Sequence, residues 1–354
     1  MKKFTLRIIA GANVATIAAM LAVGYADRLD PTAHPLLANV GLLFPAFLAA
    51  NIGFLLFWLT VKKLWALIPF AGLVIGYGPI RVYSPLNMKQ DVPEGAIKVM
   101  SYNVFNFSTW DYTSGPSEIL DYIRQQQPDI LCMQEAATVG RKYELIDSTL
   151  TSMLAYKDTV NSGSIAIYSR FPIVGKERIH YYSKSSNASA AFLLKTGPGD
   201  TTAVIVNHFE ITGISLEQRA QFKAMLKGKL EKDSATQESR ALWRSLAQSA
   251  AIRAPQADAV ARYISRHPGR STILTGDFND SPLSYVRRRL ADELTDCYVA
   301  TANGPGISYH YSGFYVRIDN ILCSADWTPY QCRVDNSIGA SDHYPIVCWL
   351  KKWK

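Results

Sequence analysis

Long apolar runs open the chain and short ones fill the rest of it. Leu6 to Tyr25 contains one charged residue, Arg7, and neither Leu36 to Thr60 nor Leu64 to Ile80 contains any. As a helix each run is about long enough to cross the ~30 Å hydrocarbon layer of a bilayer, the third being the shortest. A cleavable signal peptide would account for the first run but not for two more behind it. The pattern predicts a membrane anchor of three transmembrane helices within residues 1–83, and a linker rich in Pro and polar residues at 84–95.

Beyond the linker the pattern shortens. Lys98 to Tyr102, Asp129 to Met133, Thr202 to Val206 and Ser271 to Thr275 read as strands, whereas Ser117 to Gln127 and Arg141 to Ala155 read as helices. Strands alternating with helices define the α/β class, and a stretch of about 265 residues is enough for one domain, 96–354, with a substantial core. Ile214 to Ala254 reads as a helical insertion, its apolar faces carried by Leu216, Phe222, Met225, Leu226, Leu230, Leu242, Trp243, Leu246 and Ile252. It holds eight basic against four acidic residues. It is either a cover with a solvated face or a lid that presents Trp243 and its basic residues to anionic headgroups.

Charge sets the orientation. Lys2, Lys3 and Arg7 lie at the first span and Lys62 and Lys63 lie between the second and third, while the first link balances Arg28 against Asp27 and Asp30. The positive-inside rule then puts the N-terminus and the second link in the cytoplasm, outweighing Arg81. The chain is expected to be a multi-pass protein of the cytoplasmic (inner) membrane whose main domain is extracytoplasmic, tethered by a linker that spans at most ~40 Å.

The formal net charge is +8, but residues 1–90 carry eight basic and two acidic residues, and the remaining 29 basic and 27 acidic residues leave +2 for the domain. That balance argues against a broad nucleic-acid-binding surface. The five cysteines, Cys132, Cys297, Cys323, Cys332 and Cys348, show no Cys-x-x-Cys spacing and lie mostly in apolar runs, which speaks for buried thiols rather than zinc ligands.

Chemistry concentrates where strands end. Thr275-Gly276-Asp277-Phe278-Asn279-Asp280-Ser281-Pro282 follows the strand Ser271 to Thr275. If the strand continues, Asp277 and Asn279 share one face, an anionic ligand beside a neutral amide, which suits a hard divalent cation next to a phosphoryl oxygen. Tyr102-Asn103-Val104, Gln134-Glu135 and Asn207-His208 end the other strands, and Arg317-Ile318-Asp319-Asn320 and Ser341-Asp342-His343-Tyr344-Pro345 follow near the C-terminus.

In this order the motifs resemble the endonuclease/exonuclease/phosphatase superfamily, which includes pancreatic deoxyribonuclease, apurinic endonucleases, neutral sphingomyelinases and inositol polyphosphate 5-phosphatases; the resemblance covers Ile97 to Leu350. It implies a four-layer α/β sandwich, two packed mixed sheets flanked by helices, and a divalent cofactor, Mg²⁺, with Mn²⁺ able to substitute. Glu135 is then the expected primary metal ligand, with Asn103 and Asp342 beside the metal. Asp277 would activate water, Asn279 and Asn187 would bind substrate, and Asp319 would orient His343 while His208 assists the phosphate or leaving group.

Two positions depart from the family pattern. Val206 stands where relatives carry an Asn two residues before His208, and Phe105 stands where many nucleases carry a carboxylate. The second departure points toward sphingomyelinase-like members and a single metal. The expected activity is hydrolysis of a phosphodiester or phosphomonoester by a membrane-bound monomer, the substrate being a phospholipid or another surface-confined ester. A nuclease acting on nucleic acid is the alternative, and an inactive membrane scaffold is another. The scaffold should have lost part of Glu135, His208, Asp277, Asn279, Asp319 or His343, and none is missing. Arg287, Arg288 and Arg289 are read either as a phosphate flank or as a solvated face.

Overall fold

The computed structural model describes residues 3–353 except 137–139, 186, 215–216, 218–219, 222–231 and 312. The strands, in chain order, are β1 (Ile97–Asn103), β2 (Ile130–Gln134), β3 (Tyr156–Val160), β4 (Ile165–Ser169), β5 (Ile173–Ile179), β6 (Ser189–Gly197), β7 (Asp200–His208), β8 (Thr272–Asp277), β9 (Thr295–Asp296), β10 (Asp319–Cys323), β11 (Trp327–Val334) and β12 (Ile346–Lys352). They form two six-stranded sheets, β11-β12-β1-β2-β4-β3 and β5-β6-β7-β8-β10-β9. Both are mixed: β1 runs parallel to β2 and β7 parallel to β8, while the other pairs are antiparallel.

Side-chain alternation explains the layers. Along β2, Ile130 and Cys132 face the core between the sheets, while Leu131 and Met133 face outward under Ile123 and Ile146 of the helices Glu118–Gln126 and Arg141–Thr151. On the second sheet, Ile273 points inward and Leu274 outward, against Val260 and Leu290 of the helices Lys232–Ser265 and Tyr285–Ala291. Strands buried on both faces read as unbroken apolar runs, and that is why the sequence marked them. The result is the expected four-layer sandwich. Ser117 caps its helix by accepting a bond from the Leu120 N–H, and Gln127 ends that helix in the left-handed region at φ 47°.

Of the predicted insertion, Leu216, Phe222, Met225, Leu226 and Leu230 lie outside the described residues. The helix Lys232–Ser265 runs past Ala254, and its Arg253 is buried, donating to Asp280 at 3.1 Å and to the Glu210 carbonyl at 3.2 Å. The lid reading therefore loses Arg253, a charge that helps hold the domain together instead of facing headgroups. Arg287 pairs with Asp296 at 2.7 Å, and Arg289 with Asp258 at 3.2 Å. Arg287 is thus committed to a buried pair and Arg289 to a part-exposed one. All five cysteines are buried and unbridged.

The anchor differs from the expectation in its third run. The helices Lys3–Gly24 and Phe44–Val61 belong to two spans long and apolar enough to cross a membrane, but the third run is broken into Leu67–Ile75 and Tyr77–Tyr83, bent by 64°. Gly76 lies at the break and Pro79, which has no N–H to donate, sits in the first turn beyond it. Counting the bent pair as one span gives three. Inside the apolar helices Trp58 donates to Asn13 at 3.2 Å and Asn13 to Asn51 at 3.4 Å, a polar tie between the first two spans.

Nor does residue stretch 84–95 hang free. Asn87 bonds Asn303, Val299 and Ala302, the Gly304 N–H reaches Pro85 at 2.9 Å, and Gln331 reaches the Gln90 carbonyl at 2.8 Å. The N-terminal helices and the domain also touch directly. Leu283, just past the Asp277 motif, is buried with Met20, Val23 and Phe44, and a Cβ on Gly41 would meet the Leu283 carbonyl at 2.5 Å. The buried Arg317 guanidinium donates to the Val82 and Tyr83 carbonyls, and the Trp243 indole donates to Leu36 at 2.9 Å.

Candidate active site

The site grows out of the inter-sheet face. Val99, Val204, Ile273 and Ile321 belong to the central core, and the same period of two carries their face to Asn103, His208, Asp277 and Asp319 at one end of the sandwich. Register fixes the meeting: Asn103 pairs with Gln134 across the first sheet, while His208 and Asp319 flank Asp277 across the second. The β7–β8 approach needs Gly276, whose φ is +133° and whose Cβ would lie 2.0 Å from the Asn207 carbonyl oxygen.

Turn chemistry places the other groups, and here the expected geometry changes. β8 stops at Asp277, so Asn279 is not beside it by strand alternation; Asn279 adopts φ 52° and its N–H donates to Asp277 Oδ1 at 2.7 Å. The two still share one site, brought together by a tight turn. Glu135 likewise leaves β2 in the left-handed region, at φ 50°. Phe105, at φ 46°, turns its ring to the rim of the cleft, more than a third exposed.

Asn103 joins the sheets. Its Nδ2 donates to Glu135 Oε1 at 3.2 Å and to Asp277 Oδ2 at 3.1 Å, and its Oδ1 accepts from Phe105 N at 3.1 Å. His343 Nδ1 bonds Asp319 Oδ2 at 2.8 Å, while its Nε2 faces Asp277 Oδ2 at 3.7 Å. Burial alone would lower the His343 pKa, but the carboxylates of Asp319 and Asp277 outweigh it and raise it to about 10, so the ring is charged near neutrality. Burial pushes the Asp277 pKa up to about 7 against the pull of His343. Burial and the charge on His343 drive His208 down to about 3, so this ring is neutral. Its Nε2 lies 3.7 Å from Glu135 and 3.9 Å from Asp277, and neither ring nitrogen meets a hydrogen-bond partner.

Asn187 and Asn279 converge on one acceptor, their Nδ2 atoms donating to the Phe209 carbonyl at 2.7 and 3.0 Å. Asp342 lines the cleft with Glu135, Asp277, Asn279 and His343, in a cavity of about 320 Å³. Several supports escaped the sequence reading. Ser308 Oγ accepts from the Asp319 N–H at 3.1 Å, Ser341 Oγ donates to the Asn103 carbonyl at 2.8 Å, and the Tyr309 ring meets His343 edge-on at 5.0 Å. Ser341 belongs to a motif already singled out; Ser308 and Tyr309 carry no local signal, because a contact across a loop leaves no period.

The donor set fits a hard cation. Glu135, Asp277 and Asp342 offer carboxylate oxygens to one cleft, and Arg253, the basic group lining it among the described residues apart from His343, is tied to Asp280. Donor atoms of Asp277, Asp319 and His343 also lie within 4.8 Å of one another. That trio is a poor cage, because His343 is held protonated by both carboxylates and a charged imidazole has no lone pair for a metal.

Carboxylates, a charged imidazole and an oxygen-rich pocket at the mouth of a two-sheet sandwich suit the hydrolysis of a phosphoric ester. Residues 100–343 match the model of the Endonuclease/Exonuclease/phosphatase family, and the chain belongs to that family. Residues 6–83 match a separate model described as a domain of unknown function, DUF8431. No curated protein matches the chain. Among solved structures, TDP2 of D. rerio complexed with single strand DNA product is similar at 16% identity and TM-score 0.52, covering 73% of this chain and 100% of that one. A family protein from Bacteroides thetaiotaomicron is similar at 16% identity and TM-score 0.50, covering 74% of this chain and 98% of that one. Sphingomyelinase C from Streptomyces griseocarneus gives 17% identity and TM-score 0.47, with 72% and 99% covered. At these identities the likeness is one of fold.

Proposed function

We propose that the chain is a membrane-anchored, Mg²⁺-dependent phosphoesterase that hydrolyses a phosphorylated lipid or another surface-confined phosphoester outside the cytoplasmic membrane. The observation that carries this reading is Asp277, buried between the His343–Asp319 pair and the Asn103–Glu135 pair within one cleft. Glu135, with Asn103 and Asp342 beside it, would hold Mg²⁺ or Mn²⁺, which when bound polarises a phosphoryl oxygen.

The chain's own groups do the rest. Asp277, with its pKa raised to about 7, is poised to take a proton from water, and the Asn279 N–H fixes one of its oxygens so that Oδ2 points into the site. Asn279 Nδ2 spends one hydrogen on the Phe209 carbonyl and keeps the other for a phosphoryl oxygen, and Asn187 steadies that shared acceptor. His343, held charged and aimed by Asp319, stabilises negative charge growing on the phosphoryl oxygens. Buried and neutral, His208 would hydrogen-bond the phosphate or the leaving oxygen rather than neutralise its charge.

The anchor supports the location. Its first link packs on the catalytic domain, which supports a reading with both on one side of the bilayer and a crossing back after Lys62 and Lys63. The bent pair Leu67–Ile75 and Tyr77–Tyr83 is the segment available for that return. With Lys62 and Lys63 in the cytoplasm, the domain lies outside. Because the native thiols are all buried, Met88→Cys, at a position 92% exposed, gives a clean probe. In intact cells it should react with a membrane-impermeant thiol reagent. Labelling only after lysis would place the domain in the cytoplasm.

A near-neutral domain gives nucleic acid little nonspecific attraction, whereas an anchor docked on the domain keeps the site at the membrane. Specificity constants for phospholipid in vesicles and for duplex DNA, measured on one preparation with Asp277→Ala as blank, should favour the lipid. DNA cleaved a hundredfold faster would make the protein a nuclease.

A further inference from the structure

The cleft that holds Asp277 and His343 has a second, apolar half. Ile211, Leu246, Phe314 and Val316 line it from the catalytic domain and Leu42 lines it from the N-terminal segment, with the polar Asn39 beside Leu42. Leu42 lies in the span Val40–Val61, two residues before the helix Phe44–Val61 begins. A wall of the active site is thus the first turn of a membrane-spanning segment. Ile211 is 41% and Leu42 38% exposed, so the apolar surface opens outward rather than closing into the core.

The link bearing Leu42 is fixed at several points. Trp243 bonds the Leu36 carbonyl, Gly41 lies against the Leu283 backbone with no room for a Cβ, and Leu283 packs on Met20, Val23 and Phe44. Arg253, the cation nearest in kind to an anion ligand here, is committed to Asp280 and the Glu210 carbonyl. What this half of the cleft offers a ligand is hydrocarbon contact beside the reacting phosphate.

We propose that this apolar half is a subsite for the hydrocarbon chain of the phosphoester and that Asn39 and Leu42 make the membrane anchor part of the substrate-binding wall. The inference rests on the phosphoesterase reading and extends it: the substrate class is an alkyl or acyl phosphoester whose chain stays in apolar surroundings as its head reaches Asp277. A sugar phosphate would leave Leu42, Phe314 and Val316 against water and gain nothing from them.

The test uses the full chain in lipid nanodiscs, with hydrolysis of p-nitrophenyl phosphate and bis(p-nitrophenyl) phosphate inhibited by ethyl phosphate or hexyl phosphate below its micelle concentration. Burying a methylene is worth roughly fourfold in affinity, so hexyl phosphate should inhibit at least about tenfold more tightly than ethyl phosphate. Leu42→Asn should cut that ratio to below about threefold, while Leu42→Ile and Leu37→Asn, the latter 49% exposed and outside the cleft lining, should keep it. Equal inhibition by the two phosphates, or a ratio untouched by Leu42→Asn, would overturn the subsite and leave the phosphoesterase reading standing. Should neither ester be hydrolysed, that reading is what fails, and calorimetric binding of the two phosphates then decides the subsite alone. If Leu42→Asn does not fold, Val316→Asn, also in the cleft lining, carries the same comparison.

Discussion

Replacing His343 by Ala should lower turnover about 10³- to 10⁴-fold, and adding Asp319→Ala to that variant should cost less than about threefold more. The expectation follows from the 2.8 Å bond between His343 Nδ1 and Asp319 Oδ2 and from the burial of both side chains. Asp319 reaches the reaction mainly through the ring that it orients and helps keep charged, although its carboxylate also raises the Asp277 pKa. In the native background Asp319→Ala should therefore lose about 10²-fold or more, because the imidazole loses its aim and the largest of the charges that hold its proton. The same substitution then becomes nearly silent once the ring is gone. A double-mutant cycle on turnover reads this directly, and losses that multiply would show two independent groups.

Glu135→Gln should weaken the affinity for the divalent ion by at least about a hundredfold, since even outer-shell partners of a metal contribute ten- to a hundredfold in affinity. Glu135 has lost the regularity of β2 to stand at the cleft with φ 50°, beside Asn103 and opposite His208. A Gln there keeps the shape and removes the charge. Activity of the variant should return in part at high Mg²⁺ and more fully with Mn²⁺, whereas Asn103→Ala should also disturb Asp277, to which the amide donates at 3.1 Å. The two substitutions are thus separable, the first shifting the ion concentration needed and the second lowering turnover at saturating ion.

Much of this arrangement was legible in the sequence, for a physical reason. Strands such as β2 and β8 are covered on both faces, so Ile130 to Met133 and Thr272 to Leu274 leave an apolar signature that a half-exposed strand would not. Polar residues at their ends, Asn103, His208 and Asp277, then stand out against that background. What periodicity does not encode is turns and contacts at long range. Asn279 sits by Asp277 through a left-handed turn, which the same motif also allows and which alternation would have misplaced. Third-span continuity failed at Gly76 and Pro79, where composition alone looked helical throughout. Docking of the anchor left no sequence signal at all: Arg317 looked like part of the Asp319 motif, yet its guanidinium grips Val82 and Tyr83, and Leu42 looked like any apolar residue of a span.

The central claim is that this cleft hydrolyses phosphoesters with a bound divalent ion, and ion add-back on the full chain in nanodiscs tests it most directly. Protein stripped with excess chelator is assayed for phosphoester hydrolysis while Mg²⁺ or Mn²⁺ is titrated in, with Asp277→Ala as blank. The account predicts no turnover above the blank in chelator, saturable recovery with either ion, and a recovery curve displaced to higher ion in Glu135→Gln. Full turnover in excess chelator, or a Glu135→Gln curve that overlays the native one, would contradict it.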